Sequence, residues 1–411
     1  MSVQNKGRAV DASAEGVRRA RDASGRRPTD AMALARGRLA GASEGASVAG
    51  ASTRGRRRRS RAMSSTWTSA ASDAREAGVT DALTLATRCA RASNFVYRGD
   101  DLPTWFADDG ATTRARGATG ATAFAVADDA ARNERFVVIR GAAWNQPDTD
   151  RNKLSWQIAK VWPQRLRRET PVVCHQGVLE MTDEFWDDLK PWLRGDDGFT
   201  GTFYFTGHSL GGSMAIVCAA RARLELGLEE SRVGPIHTFG APPVLAYDRL
   251  ASGRSASDEA TIGMNEIMRL LGFEQGAAMV RQYVLANDVI PRMWLAADPV
   301  FSAATKTDFI GGLLDWRREI FGEGMFTKNR FLYESIGELY WLESANNDQG
   351  KPTLSRFFGD DVLTKLQMEL EDITQSPMTA MRTLGDHNSQ AYVDALQFLT
   401  IRRVLNPSSP I

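Results

Sequence analysis

Gly201–Gly212 reads GTFYFTGHSLGG, and Ser213–Gly227 continues SMAIVCAARARLELG. Phe203, Tyr204 and Phe205 have the aromatic composition of a buried strand. The second run is helix-forming, and the two are joined by Gly207-His208-Ser209-Leu210-Gly211. This is the G-x-S-x-G elbow in its strand–turn–helix context. The turn is so sharp that the positions two before and two after the serine must carry almost no side chain, hence Gly207 and Gly211. It raises the Ser209 hydroxyl above the sheet in a strained backbone conformation. The helix that follows aims its N-terminal amides at the same place, where they can stabilise a developing oxyanion. Ser209 is the candidate nucleophile; the competing reading is a structural glycine-rich turn.

Outward from the elbow, strand and helix signals alternate. A helical pattern begins near Thr80, capped by Thr80 or Asp81, with Leu83, Ala86, Ala90 and Asn94 on one face. Ala121–Ala127 and Arg135–Ile139 predict two strands joined by a turn containing Asn133. Pro171–Val178 (PVVCHQGV) predicts another strand, and MTDEFWDDLKPWLR an amphipathic helix capped by Thr182. Ile236–Val244 and Val280–Met293 each predict a strand ending in a loop. A last helix runs from about Asn388, with Tyr392, Ala395, Leu396 and Leu399 on its apolar face. The alternation predicts an α/β fold with a mostly parallel central sheet and helices on both faces. Chemistry in such sheets sits at the carboxyl ends of the strands.

A serine hydroxyl needs a base, normally an imidazole oriented by a carboxylate. The chain has four histidines, His175, His208, His237 and His387. His208 adjoins the serine, but its side chain is expected to point away. His175 precedes the elbow, and His237 lies mid-strand before any plausible acid loop. His387 follows an acid-bearing loop and enters the last helix, as the order Ser, acid, His requires; it could also be an exposed helix-entry residue beside Asp386. Asp288, directly after the strand YVLAN, is the leading acid, with Asp298 and Asp308 as runners-up and an ordinary turn aspartate as the competing role. The oxyanion hole needs two donors. The backbone N–H of Leu210 supplies one, and the loop in RFVVIRGAAWNQ offers Ala142, after Gly141, for the other.

Taken together, VVIRGA, CHQGV, TGHSLGG, HTFGAPP, ANDVIPR and DHNSQAYVDAL, in that order, resemble the class 3 (fungal-type) lipase family of α/β-hydrolases. The resemblance runs from about Ala82 to Leu399 and takes in YESIGELYWL (Tyr333–Leu342). It implies an α/β-hydrolase fold with the elbow after a central strand, and a triad of Ser209, Asp288 and His387. The chain departs from the family in having Ala142 where a Ser or Thr commonly adds a hydroxyl donor, Val178 in place of phenylalanine, and Pro243 in place of arginine. Long spacings imply insertions near 250–278 and 296–328. The family's helical lid falls here at about Trp144–Leu166, with Trp144, Leu154, Trp156, Ile158, Val161 and Trp162 suited either to a lipid interface or to ordinary packing.

Composition bounds the remainder. Of 411 residues, 43% are hydrophobic and 25% charged, enough for a sizeable core, with no apolar run long enough to span a bilayer. Cys89, Cys174 and Cys218 form no metal or disulfide pattern, which favours a reducing compartment, with Cys174 and Cys218 expected to be buried. Residues 1–62 hold 14 Arg and one Lys against five acids and contain no aromatic residue; their net charge of +10 leaves −9 on the rest. Residues 1–75 therefore read as a disordered leader and 76–411 as the hydrolase domain. The leader resembles a transit peptide, plastidial before mitochondrial, and otherwise the protein is cytoplasmic. A solvated tail, a true start at Met63, or a nucleic-acid-binding arm are the alternatives, and nucleic acid is not an expected partner.

The expected activity is serine-dependent hydrolysis of lipid esters, acylglycerols or polar glycerolipids, without metal or organic cofactor. A membrane or lipid-droplet surface is the implied peripheral partner. The alternative is a lipase-like scaffold that binds a partner or lipid without turnover.

Overall fold

In a computed structural model of the chain, residues 69–101, 110–248, 264–285, 288–292, 333–343, 351–359, 361–362, 365–366 and 385–405 are described. The elements are α1 (Ser69–Phe95), β1 (Thr112–Ala118), β2 (Ala123–Asp129), β3 (Glu134–Ile139) and α2 (Arg151–Ala159). Next come β4 (Pro163–Arg165), β5 (Val172–His175), α3 (Gln176–Arg194), β6 (Thr202–His208) and α4 (Leu210–Leu226). The series closes with β7 (Ile236–Phe239), β8 (Leu245–Tyr247), α5 (Met264–Leu270), β9 (Val280–Leu285), β10 (Glu338–Glu343), β11 (Thr353–Phe357) and α6 (Ser389–Leu405).

Eight of the described strands form one sheet in the order β1-β2-β3-β6-β7-β9-β10-β11. The pairs β3/β6, β6/β7, β7/β9 and β9/β10 are parallel, and β1, β2 and β11 join antiparallel at the two sides. Side chains alternate between two cores, as the two-residue strand period requires. Val137 and Ile139 of β3 and Phe203 and Phe205 of β6 face the layer built by α3 and α4. Phe136 and Val138 face the opposite layer, where Leu83, Ala86 and Ala90 of α1 meet Val393, Leu396 and Leu399 of α6. Helix α4 is buried from Leu210 through Ala222. Its Gly, Ala and Ser content lets it lie close on the sheet, and that fixes where its N-terminus points. This mostly parallel sheet with helices on both faces and the elbow at its centre is the α/β-hydrolase fold.

Four expectations need correction. Helix α1 starts at Ser69, so Thr80 and Asp81 lie inside it, and residues 69–75, expected to be disordered, are helical; the stretch SAASDAREA has few β-branched residues and extends the amphipathic helix behind it. Strand β5 ends at His175, and α3 begins at once at Gln176 rather than at Thr182. His175 Nδ1 accepts from the Val178 amide and caps the helix, while the buried Thr182 hydroxyl donates to Val178 O. Finally, β5 pairs antiparallel with β4 and β8 in a separate three-stranded sheet. An apolar tetrapeptide carries no record of which strands it will pair with.

The lid region is helical over α2. Asp150 Oδ1 accepts from the Asn152 and Lys153 amides at 3.0 Å each and caps it. Leu154 and Val161 are buried, whereas Trp144 and Trp156 are exposed, Trp156 at 58%. Packing and surface display are thus divided between the two halves of that apolar set. Cys89, Cys174 and Cys218 are free and buried. Most of the two expected insertions, together with Asp298, Asp308 and residues 1–68, lie outside the described residues.

Candidate active site

The elbow is as tight as its glycines suggest. Ser209 has φ 57° and ψ −136°, a conformation side chains rarely adopt. A Cβ at Gly207 would stand 2.3 Å from the Gly211 carbonyl carbon, and one at Gly211 would stand 2.2 Å from Ile139 O. The strain is held by backbone bonds on both sides: Ser209 N donates to Phe239 O (2.8 Å) and Gly212 N to Ser209 O (2.9 Å). Ser209 is 8% exposed, so its hydroxyl is reachable but shielded.

His387 sits in the turn before α6. Its Nε2 lies 2.8 Å from Ser209 Oγ. Its Nδ1 lies 3.0 and 2.8 Å from Asp288 Oδ1 and Oδ2. Asp288 follows β9 and is wholly buried, so its carboxylate must be hydrogen-bonded. It accepts from the Ile290 amide (2.9 Å) and from the Tyr392 hydroxyl (2.6 Å), besides His387. Ser209, His387 and Asp288 thus form a continuous hydrogen-bonded chain from hydroxyl to buried carboxylate. Such an arrangement can take a proton from the serine as it attacks and hold the resulting imidazolium.

Two supporting residues escaped the sequence reading. Its spacing predicts Tyr392 on an apolar helix face; the ring does pack there, while the hydroxyl reaches Asp288 and accepts from the Leu285 amide (3.1 Å). Burial, and then the neighbouring Asp288 charge, push its phenol well above the usual tyrosine range, so it stays a donor. Gly240, after β7, has φ +61°, and a Cβ there would lie 2.5 Å from Asp288 Oδ2, 2.9 Å from Tyr392 Oη and 3.1 Å from His387 Nδ1. The glycine in HTFGAPP therefore makes room for the acid–imidazole pair. Its signal was in the sequence, as a glycine ending a strand, but its neighbours were not.

His208 does not contact the Ser209 hydroxyl, yet it is not remote: its ring packs on that of His387 with centroids 4.7 Å apart. Burial, and secondarily the charge of a protonated His387, hold its pKa well below the ordinary histidine value. It stays neutral and adds no second positive charge beside the base. His237 is buried in β7 with its ring parallel to Tyr283, and His175 caps α3. Leu210 opens α4, so its N–H has no partner within the helix. Ala142 follows Gly141 at the end of β3, where a Cβ on Gly141 would meet His208 O at 2.5 Å. The two loops are therefore in contact. Among the described residues, no group of three or more His, Cys, Asp and Glu is placed to hold a metal, and no helix is long and apolar enough to cross a membrane.

The chain is similar to several known proteins. A chloroplastic phospholipase A1 of Arabidopsis thaliana, PLIP2, is 24% identical over 221 residues, covering 53% of this chain and 26% of that protein. A second from the same plant, PLIP1, is 23% identical over 298 residues, covering 66% of this chain and 40% of that protein. The chain thus matches well under half the length of either relative. Among solved structures, the triacylglyceride lipase of Rhizomucor miehei is 17% identical with a TM-score of 0.44, covering 69% of this chain and 86% of that one. Residues 137–297 match the family model described as lipase (class 3). That stretch, which takes in Ala142, Ser209 and Asp288, is similar to class 3 lipases.

Proposed function

We propose that this protein hydrolyses carboxylic esters of lipids, with Ser209 as nucleophile, His387 as general base and then acid, and Asp288 as the orienting carboxylate. The observation that carries the reading is the hydrogen-bonded chain Ser209 Oγ–His387 Nε2 and His387 Nδ1–Asp288, mounted on the strained elbow. Ser209 Oγ attacks the ester carbonyl and passes its proton to His387 Nε2. The tetrahedral oxyanion is held by the amides of Leu210 and Ala142. Collapse expels the alcohol, which takes the proton from His387, and leaves an acyl-enzyme. Water, deprotonated by the same imidazole, releases the fatty acid. No step calls for a metal or organic cofactor.

A polar glycerolipid of a plastid membrane is the favoured substrate class. The names of the two Arabidopsis relatives and the Arg- and Ser-rich leader support it. The exposed Trp144, ahead of the capped helix α2, and Trp156, within it, suit peripheral contact with such a surface. The test is hydrolysis of p-nitrophenyl esters, phospholipids, galactolipids and triacylglycerols by the full chain, wild type beside Ser209→Ala. Ester cleavage lost in the variant, with fluorophosphonate labelling of wild type alone, is the expected result. A wild type inert to every ester and to fluorophosphonate would replace the reading with a non-catalytic scaffold.

A further inference from the structure

Tyr97 follows α1, in the short 3₁₀ segment Val96–Asp101. Its hydroxyl meets both loops of the candidate site at once. It accepts from the Gly141 amide at 3.1 Å. It also lies 3.2 Å from His208 Nδ1 and 3.4 Å from His208 O. The phenol donates to His208 O, and its contact with His208 Nδ1 takes the direction that the imidazole tautomer sets. The backbone of the same tyrosine is tied to the same loop, because Gln146 Nε2 donates to Tyr97 O at 2.7 Å. The loop 141–146 is thus held at both ends by one residue, and the elbow is held by that residue's hydroxyl. The stretch between carries Ala142.

Gly141 has no room for anything else. A Cβ there would fall 2.7 Å from Tyr97 Oη and 3.1 Å from Gly211 N. The phenol therefore occupies the notch between strand end and elbow, and uses the one amide next to Ala142. Burial pushes the Tyr97 phenol up, so it stays protonated, and His208 stays neutral. Both partners keep one charge state across the working pH range.

Resting on the hydrolase reading above, we propose that Tyr97 is a positioning residue for the oxyanion hole: its hydroxyl, bridging Gly141 and His208, fixes the spacing between the amides of Ala142 and Leu210. The residue at 142 has no hydroxyl of its own, so the hole depends wholly on where those backbone donors stand.

The test is Tyr97→Phe in the full-length chain, which keeps the ring that packs edge-on to His208. With p-nitrophenyl butyrate, kcat is expected to fall about 10- to 100-fold with KM within about threefold, less than the 100- to 1,000-fold cost of deleting a donor. A trifluoromethyl ketone, whose hemiketal oxyanion would occupy the same hole, is expected to lose affinity by the factor lost in kcat/KM. A merely structural role would lower kcat through loss of folded enzyme and leave Ki unchanged. Both kcat and Ki within about threefold of wild type would overturn the proposal. If Tyr97→Phe does not fold, Gln146→Ala gives the same paired reading on a smaller scale, and an unchanged Ki there overturns it equally. A wild type without esterase activity or fluorophosphonate labelling would bring down the hydrolase reading instead; an active wild type matched by Tyr97→Phe brings down this inference alone.

Discussion

Replacing Gly240 by alanine asks how finely the acid–imidazole pair is seated. The new methyl would lie 2.5 Å from Asp288 Oδ2 and within 3.1 Å of His387 Nδ1, well inside van der Waals contact with both. Neither can withdraw freely, since Asp288 is also held by Tyr392 and the Ile290 amide. The backbone at φ +61° costs alanine about 1–2 kcal/mol by itself. Parting the carboxylate from the imidazole costs about 1.5–3 kcal/mol more, as for other charged hydrogen bonds. A displacement of about 1 Å costs about 100-fold in rate, and complete loss of the orienting acid about 10,000-fold. The expected kcat therefore lies between those limits. Gly227 is the matched control: it has φ +66° at the end of α4 and nothing within 4 Å of its would-be Cβ. Gly227→Ala is expected to lower stability by about 1–2 kcal/mol and leave kcat unchanged. Both variants would be assayed on p-nitrophenyl butyrate alongside thermal unfolding. Gly240→Ala with kcat within about threefold of wild type would refute the reasoning, because the site would then have slack the geometry denies.

Tyr392→Phe removes the donor to Asp288 Oδ2 and the acceptor of the Leu285 amide; kcat is expected to fall about 10-fold and stability by about 1–3 kcal/mol, checked by steady-state kinetics and urea unfolding. The same phenol titrates in the unfolded chain near pH 10 but not in the folded one. The folded state then binds the extra proton, so stability falls above about pH 10, and Tyr392→Phe should flatten that fall by up to one proton's slope. His237, with its pKa held well below 6.5 by burial, works in the opposite direction. Below that pH the unfolded chain takes up a proton the native state refuses, so stability is lost on acidification. His237→Phe is expected to make unfolding free energy less pH-dependent between about pH 6.5 and 5 while sparing esterase activity. Ala142→Ser is expected to raise kcat about threefold or more by adding a hydroxyl donor at the oxyanion, and no gain would argue against that side chain facing the hole.

The sequence reading went furthest where one short segment carries its own geometry. The elbow is such a case, since Gly207, Ser209 and Gly211 must share one tight turn whatever surrounds them. Asp288 and His387 were identified by order along the chain, and the structure brings them together. Thr182 was misread because an N-cap residue followed by acids looks the same inside a helix as at its start; the real cap is His175, a residue type with little capping preference. Strand β5 pairs outside the central sheet that the strand–helix alternation predicts, because hydrophobicity reports burial and not partner. Tyr97, Tyr392 and Gly240 act only through neighbours far away in sequence, and nothing local distinguishes them from core aromatics or an ordinary turn glycine.

Helix α6, which follows His387, is fastened to α1 at the other end of the described chain. The Thr87 and Thr400 hydroxyls lie 2.8 Å apart across 313 residues of sequence. Asn94 accepts from the Ser389 hydroxyl at 2.7 Å and donates to Gln390 at 2.8 Å. Contacts of such long range close late, because the loop entropy they cost is repaid only when the intervening sheet is already built. A nascent chain can therefore form its elbow well before it has a base to activate it. Ester-cleaving activity should return last on refolding, after the far-ultraviolet signal of sheet and helix. A polypeptide that has not finished folding would carry an unarmed serine.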